Sequence, residues 1–514
     1  MIRLGGMSLA LVACGGPDTP SDAGFKTRPD VEDTDTETTP EPGVCPTIVE
    51  VSSAAGELLL DGVVTVELDT DGDVWVICTL DSDPDEQHLV ESTSASTQHE
   101  LHVLGLAENS HYNCEVRPAC DGASSETFEI ETQGIDEHDG WTVTREPVGE
   151  MSGVYTLFND APGCVDNPEN RLFIIDPDGR VRWTYDIGNG YIIDLDHAYI
   201  GDGVMHIGGG WGLFEENAAH RGIMRQIDMT GNVLLERTEP DFGLGFNHHS
   251  EVLDDGQIVS LTTSRDTDGN EEWYGVAVEQ WDPATAAVTW SWTSQQLFDD
   301  GTFGVPNTHT PYHANSLTYR DDVHGSAVWI SLYHGQMLWR VDRPTGDLTH
   351  QFGPGGDFTL YDTDGAALPV NQWHYVAHDP DYVDNRILLY DNGVDRPGGS
   401  YSRVVEYEVD LNANTAVLLW SWTEPGWYSP VIGDADYQDN GNVLVTRGQV
   451  WCIALNDNTS ALIELDGQTH EPVWRLDYNT RLNGIFRSER YDGCELFANA
   501  KYCPDVAERI ATLR

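Results

Sequence analysis

Positive charge is scarce in this chain: 26 Lys and Arg stand against 87 Asp and Glu over 514 residues, a formal net charge of -61 at pH 7. Binding to a phosphate backbone or an anionic bilayer needs clustered Lys and Arg, so the composition argues against a nucleic-acid partner. It fits instead a solvated acidic surface in a salty or extracellular setting. No segment reaches the roughly 18 apolar residues of a membrane helix. None of the nine cysteines forms a CxxC pair, which removes the usual zinc spacing. "DTDGD" (69–73) and "DTDGN" (266–270) lack the bidentate Glu of a calcium loop and read as solvated turns. "GGGWG" and "GPGGD" precede neither a helix nor a Lys-Ser/Thr pair, which argues against a phosphate cradle. "HGSAVW" lacks the strained elbow of a serine hydrolase. The sequence therefore predicts no metal and no cofactor.

What is present begins with "MIRLGGMSLALVAC" (1–14), in which Arg3 precedes a short apolar run and then Leu11-Val12-Ala13-Cys14. The run is too short to span a bilayer. It resembles a bacterial lipoprotein signal ending in a lipobox, which implies cleavage before Cys14, lipidation of its thiol, export, and anchoring to the outer membrane or cell surface. Residues 15–44 are rich in Pro, Asp and Thr and nearly empty of large apolar side chains, so a disordered tether is expected. The other eight cysteines split into Cys45, Cys78, Cys114 and Cys120, then Cys164, Cys452, Cys494 and Cys503. Two disulfides per domain are expected, with a bridge from Cys164 to the C-terminal group.

A chain of 514 residues exceeds one hydrophobic core, so at least two domains are expected. From 45 to 133, short alternating runs such as "TVELDT" and "VWVICTL" are separated by Gly, Asp and Ser turns, the pattern of a small β-sandwich. Its end, "LGLAENSHYNCEVRPAC", resembles a fibronectin type III module. "GIDEHDG" (134–140) reads as a linker. From 141 to 514 one unit recurs: a strand, an Asp-led turn and a second strand that usually carries an aromatic. The Asp residues are Asp176, Asp228, Asp282, Asp342, Asp410 and Asp466, in steps of 52 to 68 residues. Six hairpins near the period of four-stranded blades predict an all-β chain, a six-bladed β-propeller preceded by the small β-sandwich.

Between the hairpins lies a second repeat, an apolar strand after a Gly or Asn turn. Counting back seven positions from each turn residue lands on Asp196, His249, His378, Asp434 and Phe486, while a longer turn in the remaining unit offers His313 or Asn315. In a propeller these positions start the innermost strands, where polar side chains would face one channel. Three histidines on one axis could ligate a metal, but neither their spacing nor a Cys cluster supports it. A neutral imidazole is also a nucleophile.

In order along the chain stand "HHSEVLDDGQIV", "HANSLTY", "HDPDYVDNRILLYDNGVDRPGGSYSRVVEYEVD", "GDADYQDNGNVLVTRG" and "IFRSERY". This ordered set resembles the bacterial arylsulfate sulfotransferases from about Trp141 onward. The resemblance implies a propeller behind a small β domain and a sulfuryl group passed from an aryl sulfate donor to a phenolic acceptor through a sulfohistidine. His378 would be the nucleophile, with His249 and His313 assisting. The family's sulfate-clamping arginine is Tyr333 here, beside His334, and its usual Gln before the nucleophile is Ala377. His334, Arg403 or Arg487 would then supply the charge, with Asn315, Asp196 and Asp434 completing the substrate-binding set. The alternative is a non-catalytic surface lipoprotein whose propeller binds a protein or glycan.

Overall fold

A computed structural model describes residues 45–514 except 57, 59, 136–140, 146–148, 163–169, 189–192, 196–197, 211–221, 305, 307, 449–459 and 479–482. The expected signal, Cys14 and the tether lie outside the described residues, as do Cys164, Asp196 and Cys452. The chain is all-β, built from sheets that are antiparallel but for the parallel pairing of Thr359–Tyr361 with Thr415–Trp422, with two short α-helices among the described residues.

The first unit has two sheets. One orders Ile48–Ala55, Gly62–Gly72 and Ser96–Val103; the other orders Asp83–Glu91, Val74–Leu80, His111–Pro118 and Glu126–Glu131. Strict alternation turns Val64, Val66 and Leu68 inward, while Thr65 and Glu67 face out. The inward set packs on Val76, Tyr112 and Val116 of the facing sheet. Cys45 pairs with Cys120 and Cys78 with Cys114, so this unit has the two disulfides expected of it.

Six more sheets follow in chain order, each of four or five strands. The recurring Asp has a local reason. In five of the six turns its side chain accepts the backbone N–H two residues on: Asp178 to Asp176 (2.9 Å), Thr230 to Asp228 (2.9 Å), Ala284 to Asp282 (2.9 Å), Asn412 to Asp410 (2.9 Å) and Gln468 to Asp466 (3.1 Å). Such Asx turns fix the hairpin. Asp342 departs, pairing with Arg340 and Thr349. The recurring Trp ties neighbouring sheets together. The indole of Trp183 donates to Met229 O (2.9 Å), that of Trp292 to Gly346 O (2.9 Å), and that of Trp474, in the last sheet, to Pro177 O (3.1 Å) in the first.

The two ends of this region exchange strands. Asn483–Tyr491 pairs with Tyr155–Pro162 of the first sheet, and Trp141–Arg145 pairs with Pro472–Tyr478 of the last. The leading strands also touch in succession: Phe246–Val252 lies against Val204–Gly210 and Ala314–Asp322, which meets Ala377–Val383, then Asp434–Tyr437, then Asn483–Tyr491.

The expected second unit runs to residue 514, but its last strand ends at Tyr491 and the tail returns to the first unit. There Ile510 of helix Pro504–Leu513 packs on Trp75, Ile77 and Leu89, and Leu89 N–H donates to Ala498 O (3.0 Å). Cys494 and Cys503 pair with each other inside this tail, so neither is the partner of Cys164.

His374, four residues before His378, belongs to the core of the fifth of these sheets. It is fully buried and stacks on Phe352 (centroids 5.6 Å apart), with Trp373 and Tyr407 around it. Burial, helped by Arg403 and Arg396 and opposed by Asp391, pushes its pKa down to about 4. The unfolded chain therefore binds a proton near pH 6.5 that the folded chain refuses until about pH 4, so stability falls as pH drops through this window. His374→Phe should remove about 2 kcal/mol of the stability difference between pH 7 and pH 5. Urea midpoints at the two pH values check it; an unchanged difference would exclude the buried neutral histidine.

Candidate active site

Four of the leading strands break ladder register at equivalent places: between Phe246 and Ser250, Ala314 and Ser316, His378 and Asp381, and Ile485 and Ser488. A bulge leaves its residues without cross-strand partners and re-aims their side chains. Here the bulges hold Asn247, His248 and His249, then Asn315, then Asp379, then Phe486 and Arg487. They converge on Arg487, which is 1 % exposed. Its Nη1 donates to His249 Nδ1 (3.0 Å) and lies 2.6 Å from Asp379 Oδ2, and its Nη2 donates to Asn315 O (3.3 Å). Because His249 Nδ1 accepts, its proton sits on Nε2. The backbone N–H groups of Phe486 and Arg487 both donate to Asn159 Oδ1 (3.1 and 3.2 Å), which fixes this bulge.

His378 opens the strand Ala377–Val383 and is buried. Its tautomer follows from its neighbours. Asn392 Nδ2 donates to Ser429 O (2.8 Å) and Ile432 O (2.9 Å), so Asn392 Oδ1 is an acceptor and His378 Nδ1 (2.6 Å away) carries the hydrogen. The lone pair is then on Nε2, which accepts a long contact from Ile432 N–H (3.3 Å). Burial drives its pKa down to about 3, against the Asn392 hydrogen bond and with help from Arg487 and His313. At neutral pH the imidazole is uncharged, the form that can attack an electrophile. Non-glycine residues with positive φ gather around it: His313 (47°), Val376 (63°), Asp379 (39°) and Ile432 (55°). For β-branched Val376 and Ile432 this is an uncommon and costly conformation.

His313 lies just before the strand Ala314–Asp322 and stacks on His248 (centroids 5.7 Å). Burial, with His248 and His334 nearby, holds its pKa well below 6.5. Tyr333 bridges the two histidines, its ring 5.3 Å from His313 and 6.2 Å from His378, and its hydroxyl donates to Pro430 O (3.2 Å). His334 packs edge-on against His313 (5.4 Å) but is exposed and bonded to Thr310 O. The structure thus brings together His249, His313, His378, Tyr333, Arg487 and Asn315, whose Nδ2 clasps Ala377 O (2.8 Å). Arg403 is engaged elsewhere, with Asp391 (2.8 Å) and the carbonyls of Gln372 and Trp373. Asp434 is buried, and Asp379, Asp434 and Asp436 place carboxylate oxygens within 4.8 Å of one another. Arg487 sits against the first of these acids and supplies positive charge there.

Sequence reasoning missed Asp379, Asn392, His248 and the Ile432 N–H. Asn392 lies inside the "DNG" that carried the resemblance, so a signal for it was visible. The seven-residue count landed on Phe486, one short of Arg487, because a bulge shifts which residue turns inward. Replacing Asn392 by Asp keeps the acceptor but puts a negative charge on His378 Nδ1–H, raising the imidazole pKa. If His378 must be neutral to react, acid inactivation of Asn392→Asp should begin at least about one pH unit higher than in the parent. Superimposable pH profiles would contradict the assigned hydrogen bond.

Comparison with known proteins gives the family of the chain. The profile of the family described as Arylsulfotransferase (ASST) matches residues 145–487, which contain all three histidines and Arg487. No curated protein matches the chain significantly. Among solved structures it is similar to dihydro-heme d1 dehydrogenase NirN in complex with DHE, at 10% identity over 69% of this chain and 80% of that one, TM-score 0.29. It is also similar to apo AztD from Citrobacter koseri (10% identity, 81% and 98% covered, TM-score 0.25) and to the complex of KlAtg21 with the coiled-coil of AgAtg16 (11%, 68% and 98%, TM-score 0.28). The chain belongs to the arylsulfotransferase family.

Proposed function

We propose that the protein transfers a sulfuryl group from an aryl sulfate to a phenolic acceptor in two steps through His378. The observation that carries this is the neutral, Nδ1-protonated imidazole held by Asn392 among two further histidines and Arg487. In the first step the Nε2 lone pair forms a bond to sulfur as the sulfur–oxygen bond to the aryl group breaks, and a phenolate leaves with the electron pair. In the second, the acceptor oxygen bonds to sulfur, the nitrogen–sulfur bond breaks, and its electrons return to Nε2. The acceptor's proton replaces the one that the departed phenolate takes up, so no oxidant or cofactor enters the balance. His249 Nε2–H and His313 are placed to donate to sulfate or leaving-group oxygens, where developing charge needs fixed donors. Arg487 takes the role of the missing clamp, with Tyr333 forming the wall where the family carries arginine.

The same reading takes the six sheets as a closed six-bladed propeller, supported by the strand exchange at its ends and by the Trp474 to Pro177 bond. The first unit is read as fibronectin type III-like, supported by the Tyr112 hydroxyl that accepts Ala107 N–H (2.8 Å). Cys14 would anchor the exported protein to the outer membrane or cell surface through the 15–44 tether. A second reading has one observation in its favour: Asp379 already balances Arg487, which suits a propeller that binds a glycan or protein without catalysis.

Rapid mixing with 4-nitrophenyl sulfate and no acceptor separates the two. The transferase reading expects one equivalent of nitrophenol per protein in a burst, then slow release until a phenol is added. Absence of both burst and acceptor-dependent turnover would leave the binding reading.

A further inference from the structure

We propose that the protein has a second ligand site, in the pocket under the loop 395–401, for a carboxylate carried on a hydroxylated six-membered ring. The pocket, about 280 Å³, is lined by Asn371, Arg396, Gly398, Gly399, Ser400 and Tyr401 among others. Below it, Arg396 (5 % exposed) and Arg403 (2 %) share the single carboxylate of Asp391. Among the described residues these two guanidiniums have no other ion pair, so one buried positive charge is left over in a strongly acidic protein. Asp395 is next in sequence but exposed, where solvent and salt screen it.

Two hydrogen-bonding atoms here lack partners among the described residues. Arg396 donates Nη1 to Trp373 O (2.8 Å) and Asn371 O (3.3 Å) and Nη2 to Asp391, yet its buried Nε–H has no acceptor. The buried Asn371 Oδ1 has no donor. Buried polar atoms are rarely left so, and each is an incentive to bind. The Nε–H and the surplus charge ask for an anionic acceptor, and Asn371 Oδ1 asks for a hydroxyl. The remaining walls suit a flat ring. Tyr401 is 37 % exposed, with its ring over the Arg396 guanidinium at 4.7 Å. Gly398 and Gly399 adopt φ of 101° and 130°, with nothing within 4 Å of where a Cβ would stand. Hydroxybenzoates and uronic acids share this chemistry. The site does not depend on sulfuryl transfer at His378, although Asp391 adjoins the Asn392 that holds that residue.

Titration calorimetry on the purified protein tests it, using 4-hydroxybenzoate and glucuronate with phenol and benzoate as controls. At least one ring hydroxy-acid should bind one to one, and removing its carboxylate or its hydroxyl should weaken binding tenfold or more; which acid binds identifies the ring. Asn371→Asp and Tyr401→Ala should each weaken it at least tenfold with an unchanged melting temperature, while His378→Ala leaves the affinity as it was. Failure of both acids to bind, indifference to both pocket variants, or loss of binding in His378→Ala would each overturn the proposal.

Discussion

His378→Ala is expected to lower aryl-sulfate turnover by ~10³-fold or more, because the residue would carry the covalent intermediate and nothing nearby replaces it. The histidines at 249 and 313 are not substitutes: Arg487 occupies the Nδ1 of the first, and the second is stacked against His248. Their alanine variants should keep the adduct and slow the step that forms or resolves it. Equal loss in all three, or activity retained in His378→Ala, would move the nucleophile elsewhere. The fold should survive the substitution, since among the described residues His378 gives up two hydrogen bonds, to Asn392 and the Ile432 N–H, and its ring contact with Tyr333.

The second large effect concerns the joint between the two units. Glu86, in the first unit, is fully buried and receives Arg182 Nη2 (3.0 Å) and Nη1, Arg180 Nη2 (3.1 Å) and the Tyr112 hydroxyl (3.0 Å). Arg182 is equally buried and also holds Asp176 (2.7 Å), the first of the recurring turn residues. Burial works to raise the Glu86 pKa, but His88 and Arg182 overcome it and hold the carboxyl far below its usual range. The stabilisation is therefore fully present above the unfolded carboxyl pKa near 4.5 and declines steadily as pH falls below it. Glu86→Ala leaves a buried guanidinium short of charge and should cost about 3–5 kcal/mol, read as a lower denaturant midpoint. Arg509→Ala, at the exposed pair with Glu91, should leave the midpoint in place. If both variants behave alike, the buried cluster does not hold the units together.

The sequence carried the repeat because its signals are local. An Asp that closes its own turn and a Trp that reaches the next hairpin recur whatever the intervening loop does, so the strands around Asp176 through Asp466 could be placed by eye. His378 and His249 were legible for the same reason. Arg487 and Asp379 were not selected by position because bulges break the two-residue period, and no count of alternation reveals which residue of a bulge turns inward. Asn392 acts across a strand pair on a residue 14 positions away, a contact that only folding creates. The return of the C-terminal tail onto Trp75 and Leu89 was equally hidden, since its amphipathic helix names no partner.

The most direct measurement is mass spectrometry of peptides from protein quenched after reaction with an aryl sulfate and no acceptor, under alkaline conditions that preserve nitrogen–sulfur bonds. The account predicts one added SO₃ on the peptide holding His378, lost on addition of a phenol and missing from His378→Ala. An SO₃ on another residue, or none while nitrophenol is released, would contradict it.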